Sequence, residues 1–358
     1  MTNESQTHIF KRPITIHDVA KALGMHKSTV SLALSGKGNL ALATRERVIA
    51  MSHELGYEPN PLAQRLAFGV NNNVVYIFSG LLDVGLATEK ILVIQRELNA
   101  RKLEVPIYTC GETAGADLQG TQIKQLCRQW PRAVICAAQT VHASVLRELE
   151  AYQRGGGIVI SYDIALPLEC DQVVFDRENN AYLAARRLLE CGHRDIGIGM
   201  SHSSGQELSA SQTARLQGFR RALDEFGATF REEWFFKNPN YEKGGAAMAQ
   251  AFLKLKKRPT ALCIVNDYVA LAFMAEMLRA GLQVPGDVSI IGHDDQPIAE
   301  YCPVPLTCVA QPVEEIARKV VELLLQRLDG DEAPPRTITI QGQLVERQSI
   351  AAPLGISS

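Results

Sequence analysis

The chain has 358 residues, of which 46% are hydrophobic and 21% charged, and its formal net charge is −2. That length exceeds one ordinary domain, and the composition is that of a globular protein, which excludes a disordered or fibrous chain. The charge is unevenly spread: residues 11–70 carry eight Lys/Arg against four Asp/Glu, leaving 29 against 35 elsewhere, so a basic head that could face phosphate precedes an acidic body.

Met1 to Pro13 is polar and offers no signal peptide, and no apolar run approaches the ~18 residues of a membrane span, so a cytoplasmic location is expected. Eight cysteines form no CxxC pair and have no histidine at zinc spacing. Buried reduced thiols are expected, with no disulfide framework, metal site or cofactor.

The first predicted helix begins at Thr15, with Asp18 three residues on as in a capping box, and Ile16, Val19, Ala20 and Leu23 form one apolar face. Gly24 breaks it. A second helix is predicted over Lys27–Leu34, with Val30 and Leu34 inward, and a third over Thr44–Leu55, with Val48, Met51 and Leu55 on one face. Two helices joined by a tight glycine turn and braced by a third fit a helix-turn-helix, whose second helix enters the major groove; the pattern alone also fits any small three-helix bundle. Gly56–Pro61 then stops the chain, and Leu62–Ala67 reads as one short helical turn, too short to be stable alone.

These residues resemble the LacI/GalR family of regulators: Ile16-His17-Asp18-Val19-Ala20, Thr29-Val30-Ser31, Thr44-Arg45-Glu46-Arg47-Val48, and Gly56-Tyr57-x-Pro59-Asn60 followed by Ala63 and Leu66. The resemblance implies a DNA-binding domain over 14–58, a hinge helix over 59–70 that folds when two copies meet in the minor groove, and a body over 71–353. It places Thr15, His17, His26, Lys27, Ser28, Thr29, Ser31 and Leu32 of the head, and Asn60, Ala63 and Leu66 of the hinge, against DNA, with Leu66 wedged between central base pairs. Two positions depart from the family. Leu32 stands where an arginine is usual, which shifts base reading toward Lys27 and Ser28. Ala41 replaces the usual serine before the third helix, which removes one cap.

From Asn73 onward, short apolar runs alternate with helical stretches: Val74–Phe78, Val105–Thr109, Ala133–Ala137, Gly157–Ser161, Gln172–Phe175, Asp195–Gly199, Ala261–Val265 and Val288–Ile291, with helices such as Asn179–Cys191 and Tyr268–Ala280. Continuous apolar strands separated by helices imply parallel sheets covered on both faces, and about 280 residues favour two doubly wound units with a ligand cleft between them.

The resemblance continues through Gly192-His193-Arg194-Asp195, Arg215-Leu216-x-Gly218-Phe219, Asn266-Asp267, Gly281-Leu282-x-Val284-Pro285 and Gly292-x-Asp294-Asp295. It implies an α/β fold class: an all-α head plus a periplasmic-binding-protein-like body of two parallel-sheet subdomains, about 71–165 with 303–330 and about 166–302 with 331–353. By the same resemblance the strand-end groups Asp163, Arg215, Asn266, Asp294 and Gln311 line an effector cleft suited to a hydroxyl-rich or purine-like ligand. Asp267 and Asp295 have two open readings, ligand contact or helix cap. Ser79-Gly80-Leu81-Leu82 stands where many relatives carry a stacking aromatic, so the ligand stacks on Tyr241 or Trp234 instead, or is not a plain sugar.

A periplasmic transport protein would need a leader and no DNA head. An enzyme would need a nucleophile set or phosphate loop, and no GxSxG, Walker or strand-to-helix GxGxxG sequence occurs. The expected function is a sequence-specific transcriptional regulator, a repressor, controlled by a carbohydrate or related metabolite; the alternative effector is a nucleobase or nucleoside. Its expected partners are a pseudo-palindromic operator and a second copy, since no leucine heptad tail follows Val345–Ser349 to build a tetramer.

Overall fold

A computed structural model describes residues 14–35, 40–57, 71–79, 86–109, 116–137, 142–201, 208–238 and 241–353. The chain divides into two compact units, Met1–Asn72 and Asn73–Ser358.

The first unit holds α1 (Ile16–Leu23), α2 (Lys27–Ser35) and α3 (Leu42–Leu55). Asp18 secures the start of α1, accepting from the Thr15 N–H at 2.9 Å and from its hydroxyl at 2.7 Å. Gly24 ends α1 at φ +63°, a left-handed conformation that costs glycine little, and its N–H returns to the last-turn carbonyls. Val19, Ala20, Val30, Ala33 and Val48 fill the core where the three helices meet. α3 starts at Leu42, two residues earlier than its apolar pattern suggests, and its N-cap residue Ala41 gives no side-chain cap.

Among the described residues the body contains two six-stranded sheets. The strands are β1 (Asn71–Ser79), β2 (Ile107–Thr109), β3 (Pro131–Ala137), β4 (Ile158–Asp163), β5 (Asp171–Phe175), β6 (Ile196–Ser201), β7 (Phe235–Asn238), β8 (Ala261–Ile264), β9 (Ser289–Asp294), β10 (Thr307–Ala310), β11 (Thr337–Ile340) and β12 (Gln343–Val345). The helices are α4 (Ala87–Asn99), α5 (Ala116–Cys127), α6 (Ala143–Arg154), α7 (Arg177–Glu190), α8 (Ala210–Glu225), α9 (Tyr241–Lys254), α10 (Asp267–Arg279) and α11 (Val313–Leu328). The first sheet runs β11-β5-β4-β3-β1-β2 and the second β12-β10-β9-β8-β6-β7. Neighbours such as β3–β4, β4–β5, β6–β8 and β8–β9 are parallel, while β12 returns antiparallel to β10.

Alternation along each strand buries both faces. In β1, Val75 and Ile77 pack with α4 and α11, whereas Val74, Tyr76 and Phe78 pack with α5 and α6. On α11, Ile316, Val320, Leu323 and Leu324 form one buried stripe, each side chain contributing about 1.5–3 kcal/mol. In the second sheet, Leu262 and Ile264 of β8 face α9 and α10, and Ala261 and Cys263 face α7 and α8.

The division into subdomains differs from the sequence expectation. β5, expected in the second subdomain, pairs with β4 and β11 in the first sheet, and β10, expected in the first, pairs with β9 in the second. β11 also belongs to the first sheet, although 331–353 was assigned to the second. Asp171 at the head of β5 explains the placement: buried, it accepts from Arg327 of α11 at 2.7 Å and from Arg336 beside β11 at 3.1 Å, fastening the returning chain to the first sheet.

Candidate functional site

Two regions carry functional side chains. In the head, Val30 and Ala33 fix one face of α2 inward, which turns Lys27, Ser28 and Leu32 outward; Leu32 is 43% exposed. Thr29 and Ser31 are half-buried, and His17 and Thr15 are exposed nearby in sequence. His26 caps α2: its carbonyl accepts from the Thr29 N–H at 3.0 Å, and its Nδ1 lies 2.8 Å from the Ser28 hydroxyl. Asn60, Ala63 and Leu66 lie outside the described residues.

In the body, β4, β8, β9 and β10 bring their carboxyl ends together. Asp163 (φ +92°), Asn266 (+140°) and Asp294 (+100°) all hold positive φ, which costs non-glycine residues of order 1–3 kcal/mol each and concentrates at functional sites. Asp163 is buried with both oxygens engaged: Lys90 Nζ of α4 is 3.2 Å from Oδ2, and Arg177 Nη2 of α7 donates to Oδ1 at 2.5 Å. Arg177 also donates to the Asp163 carbonyl at 2.7 Å. Lys90 Nζ reaches Gln311 Oε1 at 3.2 Å, and Gln311 Nε2 donates to Asp294 Oδ1. One polar chain, Arg177–Asp163–Lys90–Gln311–Asp294, therefore joins the two sheets.

Asn266 accepts from the Tyr268 and Val269 N–H groups, capping α10, which leaves its amide NH₂ as the group able to donate to a ligand. Arg215 is not at a strand end as expected. It lies in α8, where Nη1 donates to Ser211 Oγ one turn earlier, and burial together with Arg177 lowers the pKa of its guanidinium.

Both neighbouring aspartates make protein contacts. Asp267 is buried, accepts from the Gln296 N–H at 2.7 Å and faces the Cys308 thiol, so it braces the β9 end while Asn266 provides the cap. Burial and the nearby Asp294 raise its pKa. Asp295 pairs with Arg347 at 2.6 Å. His293 is buried and donates through Nδ1 to the Ile264 carbonyl, and its pKa is lowered by burial and Arg215, so the ring is neutral.

Trp234 does not serve as a stacking platform: it is 1% exposed, with Nε1 donating to the Lys257 carbonyl. The Tyr241 side chain and Gly80–Gly85 lie outside the described residues. Sequence reasoning missed Lys90 and Arg177. Lys90 interrupts the buried stripe Ala87-Ile91-Ile94-Leu98, and Arg177 places a cation in the first turn of α7, where the helix dipole opposes it; both anomalies are visible in the sequence. Among the described residues no cluster of His, Cys, Asp and Glu could hold a metal ion, and no helix is long and apolar enough to cross a membrane.

A three-helix head and a two-sheet body with a polar strand-end cleft define a ligand-responsive DNA-binding protein. Residues 15–60 match the bacterial regulatory proteins of the lacI family, and residues 185–350 match the periplasmic binding protein-like domain. The HTH-type transcriptional repressor PurR of Proteus mirabilis is 29% identical over 338 residues, covering 94% of this chain and 97% of that protein. PurR of Aliivibrio salmonicida is 27% identical over 336 residues, covering 94% and 98%. The lac repressor dimer bound to operator and the anti-inducer ONPF shares the fold with a TM-score of 0.80 at 23% identity, over 95% of this chain and 100% of that one. The CelR–cellobiose complex does so at 0.68 and 24% identity, over 94% and 99%. The chain belongs to the LacI/GalR family: it is a transcriptional regulator with separate DNA-binding and effector-binding domains, not an enzyme.

Proposed function

We propose that the protein is a cytoplasmic repressor that binds a pseudo-palindromic operator as a homodimer and whose operator affinity is set by a small molecule in the body cleft. The head spans 14–58, the hinge 59–70 and the body 71–353. Lys27 and Ser28 read bases, Leu32 contacts a thymine methyl, Thr15, His17, His26, Thr29 and Ser31 position the head on the backbone, and Asn60, Ala63 and Leu66 form the minor-groove hinge. Asp163, Arg215, Asn266, Asp294 and Gln311 form the effector site.

The observation that carries the reading is the polar chain from Arg177 to Asp294, which ties the first sheet to the second at the ends of β4 and β9. A ligand that competes for Gln311 or Asp294 changes the link between the sheets, and any preference for one arrangement shifts the population. The effector is a carbohydrate or related metabolite. A nucleobase or nucleoside is the second reading, since Asn266 and Asp294 also suit ring N–H and carbonyl groups.

Selection of binding sites from random DNA tests the proposal: an inverted repeat with steep salt dependence is expected, and an asymmetric site or salt-insensitive binding contradicts it.

A further inference from the structure

The charges around the cleft do not balance among the described residues. Three basic side chains converge there: Lys90 from α4, Arg177 from α7 and Arg215 from α8. Two carboxylates oppose them, Asp163 and Asp294. Asp163 is fully committed to Lys90 and Arg177, and Asp294 accepts from the neutral amide of Gln311. Arg215 Nη1 donates to the neutral hydroxyl of Ser211. Among the other described titratable groups nearby none supplies a free counter-charge: Asp295 is spent on Arg347, His293 is neutral, and Asp267 is buried with its protonated form favoured.

A site made for a neutral polyol presents carboxylates that accept hydroxyl protons. Here Asp163, the carboxylate that the sequence assigns to that role, is already neutralised by two protein cations. A half-buried guanidinium hydrogen-bonded to a neutral hydroxyl gains most from an oxyanion, which it can meet with two parallel N–H···O bonds. Burial and Arg177 lower the Arg215 pKa by more than Asp294 and Asp163 raise it, so the two carboxylates do not fully offset the cost of holding this cation.

We propose that the cleft ligand is an anion, a carboxylate- or phosphate-bearing metabolite whose acidic group sits against Arg215 while its neutral polar groups meet Asn266 and Asp294. This rests on the effector-site reading above and narrows its ligand class.

The test uses the full chain and matched probes: D-glucose, D-gluconate and D-glucose 6-phosphate; adenosine and adenosine monophosphate; and inorganic phosphate alone. Thermal shift identifies binders and calorimetry gives affinities, with operator titration run alongside. At least one charged probe is expected to bind roughly tenfold to a hundredfold more tightly than its neutral partner, the gluconate and phosphate arms showing which acid is preferred. Arg215→Gln abolishes that preference, and Arg215→Lys, which keeps the charge and guards against a folding artefact, retains part of it. A panel in which no charged probe exceeds its neutral partner overturns the inference. If a neutral probe wins and also changes operator affinity, the anion inference falls while the effector reading stands. If a charged probe binds independently of Arg215 and leaves operator affinity unchanged, both fall.

Discussion

Lys90 and Gln311 are separated by 221 positions in the sequence, yet the Lys90 ammonium lies 3.2 Å from the Gln311 carbonyl oxygen. The same ammonium lies 3.2 Å from Asp163, so one buried cation bridges the ends of β4 and β10. Removing one member of a buried ion pair leaves its partner uncompensated and typically costs 3–5 kcal/mol. Arg177 still holds Asp163 when Lys90 is lost, which places Lys90→Met near the lower end, about 3 kcal/mol. Urea unfolding measures this; a loss under about 1 kcal/mol would show that the bridge contributes little to the fold.

Buried groups near the cleft give stability an opposed pH dependence. Asp267 has a raised folded pKa, so the folded chain keeps a proton that the unfolded chain releases near pH 4, and stability falls as pH rises from there toward the folded value. His293 has a lowered folded pKa, so its contribution is lost as pH falls below about 6.5. Asp267→Asn keeps an acceptor for the Gln296 N–H and removes the first titration. Urea midpoints taken from pH 5 to 9 should fall less steeply between pH 5 and about 8 in the variant; identical slopes would place the Asp267 pKa at its ordinary value.

Much of this was legible in the sequence. The head announces itself through Thr15/Asp18, the glycine after Leu23 and the apolar spacing of α1. Eight body strands stand out as apolar runs. The strands β7, β10, β11 and β12 are short, and Phe235-Phe236-Lys237-Asn238 or Thr337-Ile338-Thr339-Ile340 lacks the length and full burial that make a run conspicuous. Which sheet a strand joins is not encoded in the strand. It follows from distant contacts such as Asp171 with Arg327 and Arg336, and the subdomain boundaries slipped for that reason. Asp163 was legible as a cleft residue, but its neutralisation by Lys90 and Arg177 depends on tertiary proximity.

Helix packing in the body depends on Gly218. A Cβ there would lie 1.8 Å from the Glu178 carbonyl oxygen, a backbone atom that cannot rotate away, so α7 and α8 must separate to admit it. Gly218→Ala should cost about 3 kcal/mol, at the upper end for an overpacked site, despite the helix propensity that alanine adds. A variant as stable as the parent in thermal or urea unfolding would show that the two helices are not in such close contact.

On α2, Lys27 and Ser28 are exposed, whereas Val30 and Ala33 are buried. Lys27→Ala should weaken operator binding by about 1–3 kcal/mol and relax selectivity at one position of each half-site. Uniform weakening on operator and random DNA, with the salt slope reduced by about one, would make Lys27 a phosphate contact.

The central claim is that the cleft controls the head. The direct measurement is operator affinity of the full chain with and without a saturating compound that raises its melting temperature and whose binding is weakened by Asp294→Asn. The account predicts a change in operator Kd of at least about fivefold, the low end of ordinary allosteric coupling. An operator Kd unchanged at saturation would contradict it.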